Sequence, residues 1–416
     1  MAVPSPDLSA AAGAGDRQGM AAGLVVLLLA LLLGIQPVTT DLYLPALPAL
    51  TAGFGAPIAH AQLTLSALLL AFGVSQLIWG PLSDRFGRRP ILLWGMLAYA
   101  IASVGSALAP SMAMLVLWRT VQGAAMGAAV MCARAIVRDL YAPLDGTRVM
   151  SKALTGLGII ACLCAPIGGL LTEWLGWRVA LLALALFGAA TLGMVAWRFQ
   201  ETLARRNPDA LRPAALLRTW WRIARHPTFI AYSVLSSASY GALFTFLAAS
   251  SFVYIRVLGA SRLEYGMVMF CMCFVYIFGT LLCRRLLVRF GVRRAVAIAA
   301  VLSLSGGLLM AGLAWAGVVS GWAILPPFLL VMLAHGVHQP CSQSGAVGPF
   351  PDAAGAASAL NGFCMMLVAF GMGGWLGAHL GDGTVFPLTN GMLFWTVCIS
   401  TSAWTLVQWH GEPARS

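Results

Sequence analysis

Two ionisable residues lie within long apolar stretches of the chain, where a charge is costly. Asp41 is near the end of one apolar run, and Arg119 lies inside another. A charged group at the centre of a bilayer costs about 2.5–3.5 kcal/mol, so such residues usually have a function. We interpret Asp41 as a carboxylate that alternately binds and releases a proton, and Arg119 as a charged group of a central cavity. The alternatives are a helix-end cap after Thr39 and Thr40 for Asp41, and an ion pair or a carbonyl contact for Arg119.

Simple helix geometry predicts that these two residues lie at similar depths. A helix starting near residue 22 places Asp41 about 28 Å along its axis, at about 1.5 Å per residue. A helix entering from the opposite side near Met112 places Arg119 about 10 Å below that surface by the same rise. Both residues are therefore expected in the same half of the membrane, within about 10 Å of each other in depth.

The composition is that of a membrane protein. Sixty per cent of the residues are hydrophobic, nine per cent are charged and the mean hydropathy is +0.87, whereas soluble domains carry about a quarter charged residues. At about 20 residues per crossing, the chain has room for roughly twelve spans. The apolar runs fall at about 22–44, 62–81, 90–109, 112–134, 153–174, 178–198, 228–255, 264–286, 295–316, 322–345, 357–380 and 387–409.

An internal repeat predicts two similar halves. Arg85-Phe86-Gly87 recurs as Arg289-Phe290-Gly291, and Gly168-Gly169 recurs as Gly373-Gly374. In the second copy, Val288 stands where the first has Asp84. We therefore predict an all-α membrane protein of twelve transmembrane helices in two pseudo-symmetric six-helix bundles. The predicted domains are a disordered N-terminus (1–19), a first bundle (20–198), a linker with a helix on the membrane surface (199–227), a second bundle (228–410) and a tail (411–416).

The basic residues predict the orientation in the membrane. Of the 25 lysines and arginines, all but Arg119, Arg178, Arg256 and Arg262 fall on one side of the predicted spans. Basic loops stay in the cytoplasm. Both termini are therefore expected to be cytoplasmic, with the protein in the cytoplasmic (inner) membrane of a bacterium. Because the basic residues lie in loops between spans, the net charge of +12 does not indicate a nucleic-acid partner.

The stretch from Gly80 to Pro90 resembles the signature loop of the major facilitator superfamily. Its order of glycine, acid and Arg-x-Gly-Arg-Arg predicts a tight loop that breaks the helix, in which Asp84 caps the next helix or pairs with a guanidinium. An alternative is a cap that only folds the turn. The cytoplasmic gate that we predict from this motif and the following arginines comprises Gly80, Asp84, Arg85, Gly87, Arg88, Arg89, Arg134 and Arg138.

Two further motifs resemble a branch of the same superfamily. Arg119 followed by Gln122-Gly123 resembles the fourth-helix motif that the superfamily's exporters use in proton coupling. The antiporter helix motif is matched by Gly156, Pro166, Gly168 and Gly169, although Ala165 stands where the pattern has glycine. Stretches at 40–48, 134–141 and 349–360 look like the Bcr/CflA subfamily of drug exporters. This resemblance implies proton-driven export of small antibiotics, with the proton gradient in place of a cofactor.

The substrate is the least defined part of the sequence interpretation. The residues that we predict to line a cavity between the halves are Tyr43, Gln122, Tyr240, Phe244, His338 and Asn361. His335 and His338 share a helix face, as a coupling pair or by packing alone. The cysteines at 162, 164, 271 and 273 have metal-like spacing, but residues two apart diverge on a helix, so we predict packing and no metal site.

Several functions remain compatible with these motifs. A multidrug exporter and a dedicated exporter of one antibiotic or metabolite would share them all. A proton-independent uniporter would keep the fold without needing Asp41. An enzyme would require a catalytic cluster or a large aqueous domain, and the sequence indicates neither. The expected partners are a small-molecule substrate and the lipid bilayer, with the protein acting as a monomer.

Overall fold

The computed structural model describes residues 21–141, 143–203, 206, 208 and 210–411, with the side chains of 143, 144, 147 and 352 set aside. Twelve long helices cross the described part of the molecule, and they are named here α1 to α12. Their bounds are α1 Ala22–Asp41, α2 Ile58–Phe86, α3 Arg88–Ala107, α4 Met112–Leu140, α5 Pro143–Trp174, α6 Trp177–Arg198, α7 Pro227–Phe252, α8 262–290, α9 292–315, α10 Gly321–Val347, α11 Ala354–His379 and α12 Phe386–Trp404. The predicted N-terminal segment 1–19 and residues 412–416 of the predicted tail lie outside the described residues.

The predicted all-α architecture is confirmed. Within the described residues, ten helices are long and apolar enough to cross a membrane. One of these, Arg262–Trp315, is broken at Gly291 into α8 and α9, and the 19-residue α12 completes the set of twelve. The linker contains an amphipathic helix, Pro213–Ala224, which buries Ile223 and exposes Trp221. Its predicted place on the membrane surface stays a prediction.

The internal repeat has a matching backbone feature in each half. Gly87 separates α2 from α3 with a φ of 109°, and Gly291 separates α8 from α9 with a φ of 73°. Residues with a Cβ rarely adopt positive φ, so glycine at these two turns is a backbone requirement. Val288, at the position that corresponds to Asp84, is 92% exposed.

The helices extend further past the apolar runs than the sequence indicates. The predicted loop from Gly80 to Pro90 is wrong in extent, because α2 continues to Phe86 and α3 begins at Arg88. Likewise, α4 continues to Leu140 and α5 begins at Pro143. Arg134 and Arg138 therefore lie on a helix and not in a loop. Helices that project beyond the membrane carry polar residues, which hydropathy alone assigns to loops.

The first membrane segment is a broken helix. It contains Pro37, and α1 ends at Asp41, its twentieth residue. A 3-10 turn (Leu44–Ala46) and a short helix (Leu47–Phe54) then complete a 33-residue segment. Asp41 therefore lies at an interruption inside the segment and not at its end.

Each half packs as a separate bundle, and two helix pairs join the halves. Helix α2 packs along α11, and α5 packs along α8. Along α2 and α11, Gly73 lies against Met366, and Gly373 lies against Ser66. A Cβ at either glycine would come within 2.6 Å of its neighbour, so these helices approach more closely than larger residues allow.

The two ends of the molecule differ. The end where α2 meets α3 and α4 meets α5, together with the linker, is called here the basic end, and the opposite one the far end. At the far end, polar contacts join the halves: Gln62 Nε2 donates to the Ala248 carbonyl (2.7 Å), and Arg256 donates to the Pro48 carbonyl (3.1 Å) and to Thr51 Oγ1. At the basic end a cavity of about 640 Å³ opens between α2, α4, the linker helix and the start of α11.

Candidate functional site

Asp41 lies at the junction of the two halves. Its carboxylate accepts a hydrogen bond from Thr40 Oγ1 (2.8 Å) and interacts electrostatically with Tyr240 on α7 and Tyr265 on α8. The side chain is half-buried. The predicted position of Asp41 beside a central opening stays a prediction, because Asp41 does not line the cavity at the basic end.

Arg119 is fully buried among α1, α3 and α4. Its guanidinium donates to Gln122 Oε1 (2.6 Å) and to the Thr39 carbonyl (3.0 Å), and it stacks over the Tyr43 ring, 4.2 Å from the centroid. Gln122 in turn donates to Ser103 Oγ (2.6 Å). Together these contacts form a polar network, called here the Arg119 network, inside the first half.

The network reaches the helix of Asp41 without touching the carboxylate. Tyr99 and Thr39 share a hydrogen bond of 2.7 Å through their hydroxyls, and Thr39 also supplies the carbonyl that Arg119 binds. Among the described residues, no carboxylate lies within ion-pair distance of Arg119. Arg119 thus binds the backbone two residues before Asp41, and this is the carbonyl contact left open by the sequence.

The glycines of α5 bring that helix directly against α1 and α8. A Cβ on Gly168 would lie 2.0 Å from the carbonyl oxygen of Leu42, and one on Gly156 would lie 2.8 Å from Ala30. Gly169 faces the Arg262 carbonyl in the same way, and Pro166 packs on Gly266. The predicted antiporter motif therefore forms the surface that backs the residue after Asp41 and joins α5 to the second half.

A buried arginine of the α2–α3 turn, Arg88, is the centre of an ion cluster. Arg88 is 1% exposed and donates to Asp84 (2.6 Å), Asp139 (2.9 Å) and Ser83 (2.7 Å). Arg138 lies 3.9 Å from the same oxygen of Asp84. The expectation that Asp84 pairs with a guanidinium agrees with this geometry, whereas its capping of the next helix is wrong.

Sequence reasoning missed the group that does cap α3. Glu201, which follows α6, accepts hydrogen bonds from the backbone N–H groups of Arg88 (2.8 Å) and Arg89 (3.1 Å). A carboxylate at a helix N-terminus satisfies unpaired donors and complements the helix dipole. A Cβ on Gly87 would lie 2.3 Å from Glu201, which is a second reason for glycine there. Glu201 is separated from this turn by more than 110 residues, so no local pattern reveals the contact.

The remaining predicted gate residues lie around the cavity or on the surface. Arg134 lines the cavity and donates to Ser358 Oγ on α11 (2.7 Å), which joins the halves at the basic end. Arg89 donates to the Ala196 carbonyl (3.0 Å), and Arg85 is exposed over Phe86. Gly80 also lines the cavity, where a Cβ would meet Met131 at an ordinary 3.6 Å.

The six predicted cavity-lining residues do not line this cavity. They are all buried, and most lie inside their own half. Tyr43 binds Thr64 (2.7 Å), Asn361 accepts from Ser236 (2.8 Å), and His338 lies 3.4 Å from Ser303. The others are Gln122 in the Arg119 network, Phe244, and Tyr240, which interacts with Gln36 across the halves. His335 binds Ser239 (2.8 Å).

Comparison with known proteins gives consistent results. The Major Facilitator Superfamily model matches residues 27–374. Multidrug resistance protein D of Escherichia coli (strain K12) is 32% identical over 81% of this chain and 84% of its own length. A chloramphenicol resistance protein of Pseudomonas aeruginosa is 30% identical over 80% of this chain and 78% of its own.

A solved structure with the same fold supports the architecture. The crystal structure of a bacterial homologue of the human lysosomal transporter Spinster, in an inward-facing and occupied conformation, superimposes with a TM-score of 0.71. That alignment covers 95% of this chain and 99% of the other at 15% identity, which bears on the fold alone. From its family match and its drug-resistance relatives, this chain belongs to the Major Facilitator Superfamily of membrane transporters, as the motifs predicted.

Proposed function

We propose that this protein exports small amphipathic drugs or antibiotics from the bacterial cytoplasm in exchange for protons. The names of its relatives support drug resistance as the outcome of transport. The observation that carries the proton coupling is the position of Asp41, half-buried at the junction of the halves and free of any ion pair with Arg119. Such a carboxylate can take up a proton without first breaking a salt bridge.

The orientation that fits this function has the basic end in the cytoplasm of the cell. The excess of arginine at that end supports it. In the conformation described here, Gln62 and Arg256 join the halves at the far end, and at the basic end a cavity opens beside the hydrogen bond from Arg134 to Ser358. We take this to be the inward-open state, from which substrate is loaded.

The residues of the site have separable tasks in this scheme. Asp41 exchanges the proton, and its charge interacts electrostatically with Tyr240 and Tyr265 of the second half. The Arg119 network fixes the end of α1 on which Asp41 sits. When Asp41 is protonated its charge disappears, so its interaction with the second half changes, and the balance between inward-open and outward-open states changes with it.

Expression in an efflux-deficient bacterium tests the proposal. We expect raised resistance to several antibiotics, abolished by a proton uncoupler. Resistance to a single compound would indicate a dedicated exporter. Resistance that is insensitive to the uncoupler would contradict proton coupling and favour the uniporter.

Asp41→Asn tests the role of the acid directly. Asparagine is close in size but cannot exchange a proton, so uphill efflux in proteoliposomes with an imposed pH gradient should fall at least tenfold. The matched control is Asp382→Asn, which changes an exposed acid at the far end and should leave efflux unchanged. Equal efflux by wild type and Asp41→Asn would exclude Asp41 as the coupling group.

A further inference from the structure

The cavity at the basic end has a positively charged wall. It encloses about 640 Å³, which lies within the range of about 300–1,000 Å³ that holds drug-sized molecules. Among the described residues that line it there is one acid, Asp84, and the basic ones are Arg88, Arg134, Arg138 and Arg222. Positive charge therefore exceeds negative charge on the described part of the wall.

The acid of the wall is bound mainly by one of these arginines. Arg88 donates to Asp84 at 2.6 Å, whereas Arg138 lies 3.9 Å from the same oxygen, at the limit of an ion pair. In the part of the chain that the structure describes, no carboxylate lies within ion-pair distance of Arg134. Its Nη1 donates to the neutral Ser358 hydroxyl (2.7 Å). Since a guanidinium has five N–H donors, Arg134 can bind a further acceptor.

Arg134 and Arg138 present their charges to the same part of the second half. They are four residues apart on α4, so they lie on one face of that helix, and both are exposed. Arg134 binds Ser358, and Arg138 Nη1 lies 3.9 Å from the position of a Cβ on Gly355. Both guanidiniums therefore reach the start of α11. Like charges one helical turn apart repel each other, and an anion that contacts both guanidiniums removes this repulsion.

Other parts of the wall are apolar. Leu77 on α2 and Met131 on α4 contribute from the first half, and Leu216 and Trp220 contribute from the linker helix. That helix packs on α7 and α11, so it belongs to the second half. A ligand that matches the whole wall combines an anionic group with an apolar or aromatic body.

We propose that this cavity is the site at which substrates are loaded, and that it selects amphipathic anions over cations of similar shape. Carboxylates and sulfonates joined to an aromatic group are the chemical class that fits. Arg134 and Arg138 bind the anionic group, and Trp220 contacts the aromatic body. This inference rests on the proposed function, because it takes the cavity to be the cytoplasmic entrance of an exporter.

Three probes with one fluorophore and different charges test the selection. Dansylglycine carries a carboxylate, dansylamide is neutral and dansylcadaverine carries an ammonium group. Each is titrated into the purified full-length protein in detergent, and binding is measured from the rise in dansyl emission. Dansylglycine should bind about tenfold more tightly than dansylamide, the effect of one charge-assisted hydrogen bond. Dansylcadaverine should bind most weakly.

Variants of the wall assign the effect to particular residues. Arg134→Gln should weaken dansylglycine about tenfold and leave dansylamide unchanged, since only the anion is bound by the guanidinium. Arg134→Lys keeps the charge and should retain part of the preference, and it replaces the glutamine variant if that protein fails to fold. Trp220→Ala should weaken all three probes. The matched control is Arg285→Gln, which removes an exposed arginine near the end of α8, outside the described lining, and should change nothing.

Equal affinities for the three probes in wild type would overturn the proposal, as would equal losses with Arg134→Gln and Arg285→Gln. A further arm separates substrates from lipid headgroups, which also carry anionic groups. The protein is placed in nanodiscs of phosphatidylcholine with or without phosphatidylglycerol, and dansylglycine should bind equally in both. Binding abolished by phosphatidylglycerol would assign the site to lipid and overturn its role in loading. These measurements need neither transport nor a proton gradient, so their failure is distinguishable from failure of the efflux assay.

Discussion

A buried guanidinium without a carboxylate partner needs other acceptors, and Arg119 finds them in an amide, a carbonyl and an aromatic face. Gln122 and Thr39 supply oxygen dipoles, and Tyr43 supplies its ring. This arrangement keeps a positive charge near α1 without neutralising Asp41. A direct salt bridge would have to break for every proton bound, because the carboxylate would lose the charge that holds it. The separation of Asp41 from Arg119 therefore suits repeated protonation.

The planar shape of arginine is expected to matter at this position. Arg119→Lys keeps the charge but replaces a planar group with a point charge, which cannot contact Gln122, Thr39 and the Tyr43 ring together. We expect proton-driven efflux to fall at least tenfold while the protein still reaches the membrane. Efflux assays in proteoliposomes measure this loss.

Arg178→Lys is the control for that change, since Arg178 is an exposed arginine that lies over the ring of Trp177. It should transport at the wild-type rate. Full activity of Arg119→Lys would show that charge alone is sufficient at this site.

Asp84 is expected to matter through the ion cluster at the basic end. Asp84→Asn removes one of two carboxylates bound to the buried Arg88, and it also removes the carboxylate near Arg138. Asp139 remains, so the protein should fold and reach the membrane. Transport should fall severalfold in whole cells, measured against surface expression.

The control for Asp84→Asn is Asp145→Asn. Asp145 also pairs with an arginine at the basic end and is similarly exposed, but its partner Arg148 is 70% exposed at the side chain. Surface ion pairs contribute at most about 1 kcal/mol, so this variant should behave as wild type. Equal transport by both variants would assign Asp84 a local folding role only.

Single residues were predictable from the sequence where their cost in a membrane is high. Asp41 and Arg119 are conspicuous because charges are rare in apolar segments. Their partners were not predictable, because Thr39 binds Arg119 through its backbone carbonyl, which every residue has. The six predicted lining residues show the same limit. An aromatic or polar side chain in a span can face its own bundle or the opposite half, and hydropathy does not distinguish the two.

At the scale of the elements, α5 contacts both α1 in its own half and α8 in the second half. One face carries Gly156 and Gly168 against α1, and another carries Pro166 and Gly169 against α8. Small residues allow this double approach, because backbone meets backbone without side chains between. A movement of α5 is therefore transmitted both to the helix of Asp41 and to the second half.

Gly168→Ala should disturb this junction. The added Cβ would lie 2.0 Å from the Leu42 carbonyl oxygen, and backbone on both sides cannot yield easily. Overpacking of this kind costs about 1–3 kcal/mol. We expect a lower melting temperature in detergent and loss of efflux, measured by thermal unfolding and by transport.

The matched control is Gly158→Ala on the same helix, where a Cβ meets nothing within 4 Å. Alanine favours a helix over glycine by about 1 kcal/mol, so this variant should be as stable as wild type or slightly more so. Equal melting temperatures for the two variants would contradict the close approach of α5 to α1.

Helix existence and order could be predicted, whereas several helix ends could not. Apolar runs locate the part of a helix inside the membrane, but α4 and α5 continue beyond it with arginines and lysine on their surfaces. The end of α2 was misplaced because Gly80 and Pro81 usually interrupt helices. Here Gly80 lies inside α2 and only Gly87 leaves helical geometry. The cap from Glu201 depends on tertiary structure and has no local signal.

For the whole molecule, one acid at the junction of the halves predicts a simple stoichiometry. With one proton exchanged for each neutral substrate molecule, a tenfold concentration gradient balances one pH unit, since both correspond to about 1.4 kcal/mol. We expect this limit in proteoliposomes at zero membrane potential. A gradient near one hundredfold per pH unit would require a second proton site.

The twofold architecture was readable from the sequence because the repeat keeps its glycines. Gly87 and Gly291 occupy equivalent turns, whereas Val288, which stands where the first copy has Asp84, carries no charge and is 92% exposed. The conformational state could not be predicted from the sequence, since the same sequence must support both the inward-open and the outward-open state. It depends on a few contacts across the far end, such as that between Gln62 and Ala248.

The contact made by Arg256 has a consequence for the kinetics of opening. Arg256 lies on a π-helical turn, Val253–Val257, and reaches Thr51 on the other half. Such turns are rare and locally wider than an α-helix, and they often mark functional sites. Opening the far end breaks the hydrogen bond from Arg256 to Thr51, so the π-helical turn loses one of its contacts with the other half. Backbone amides of the turn should then exchange with deuterated solvent faster than those of the neighbouring α7. The isotope uptake of five residues would thus report how often the molecule visits its other state.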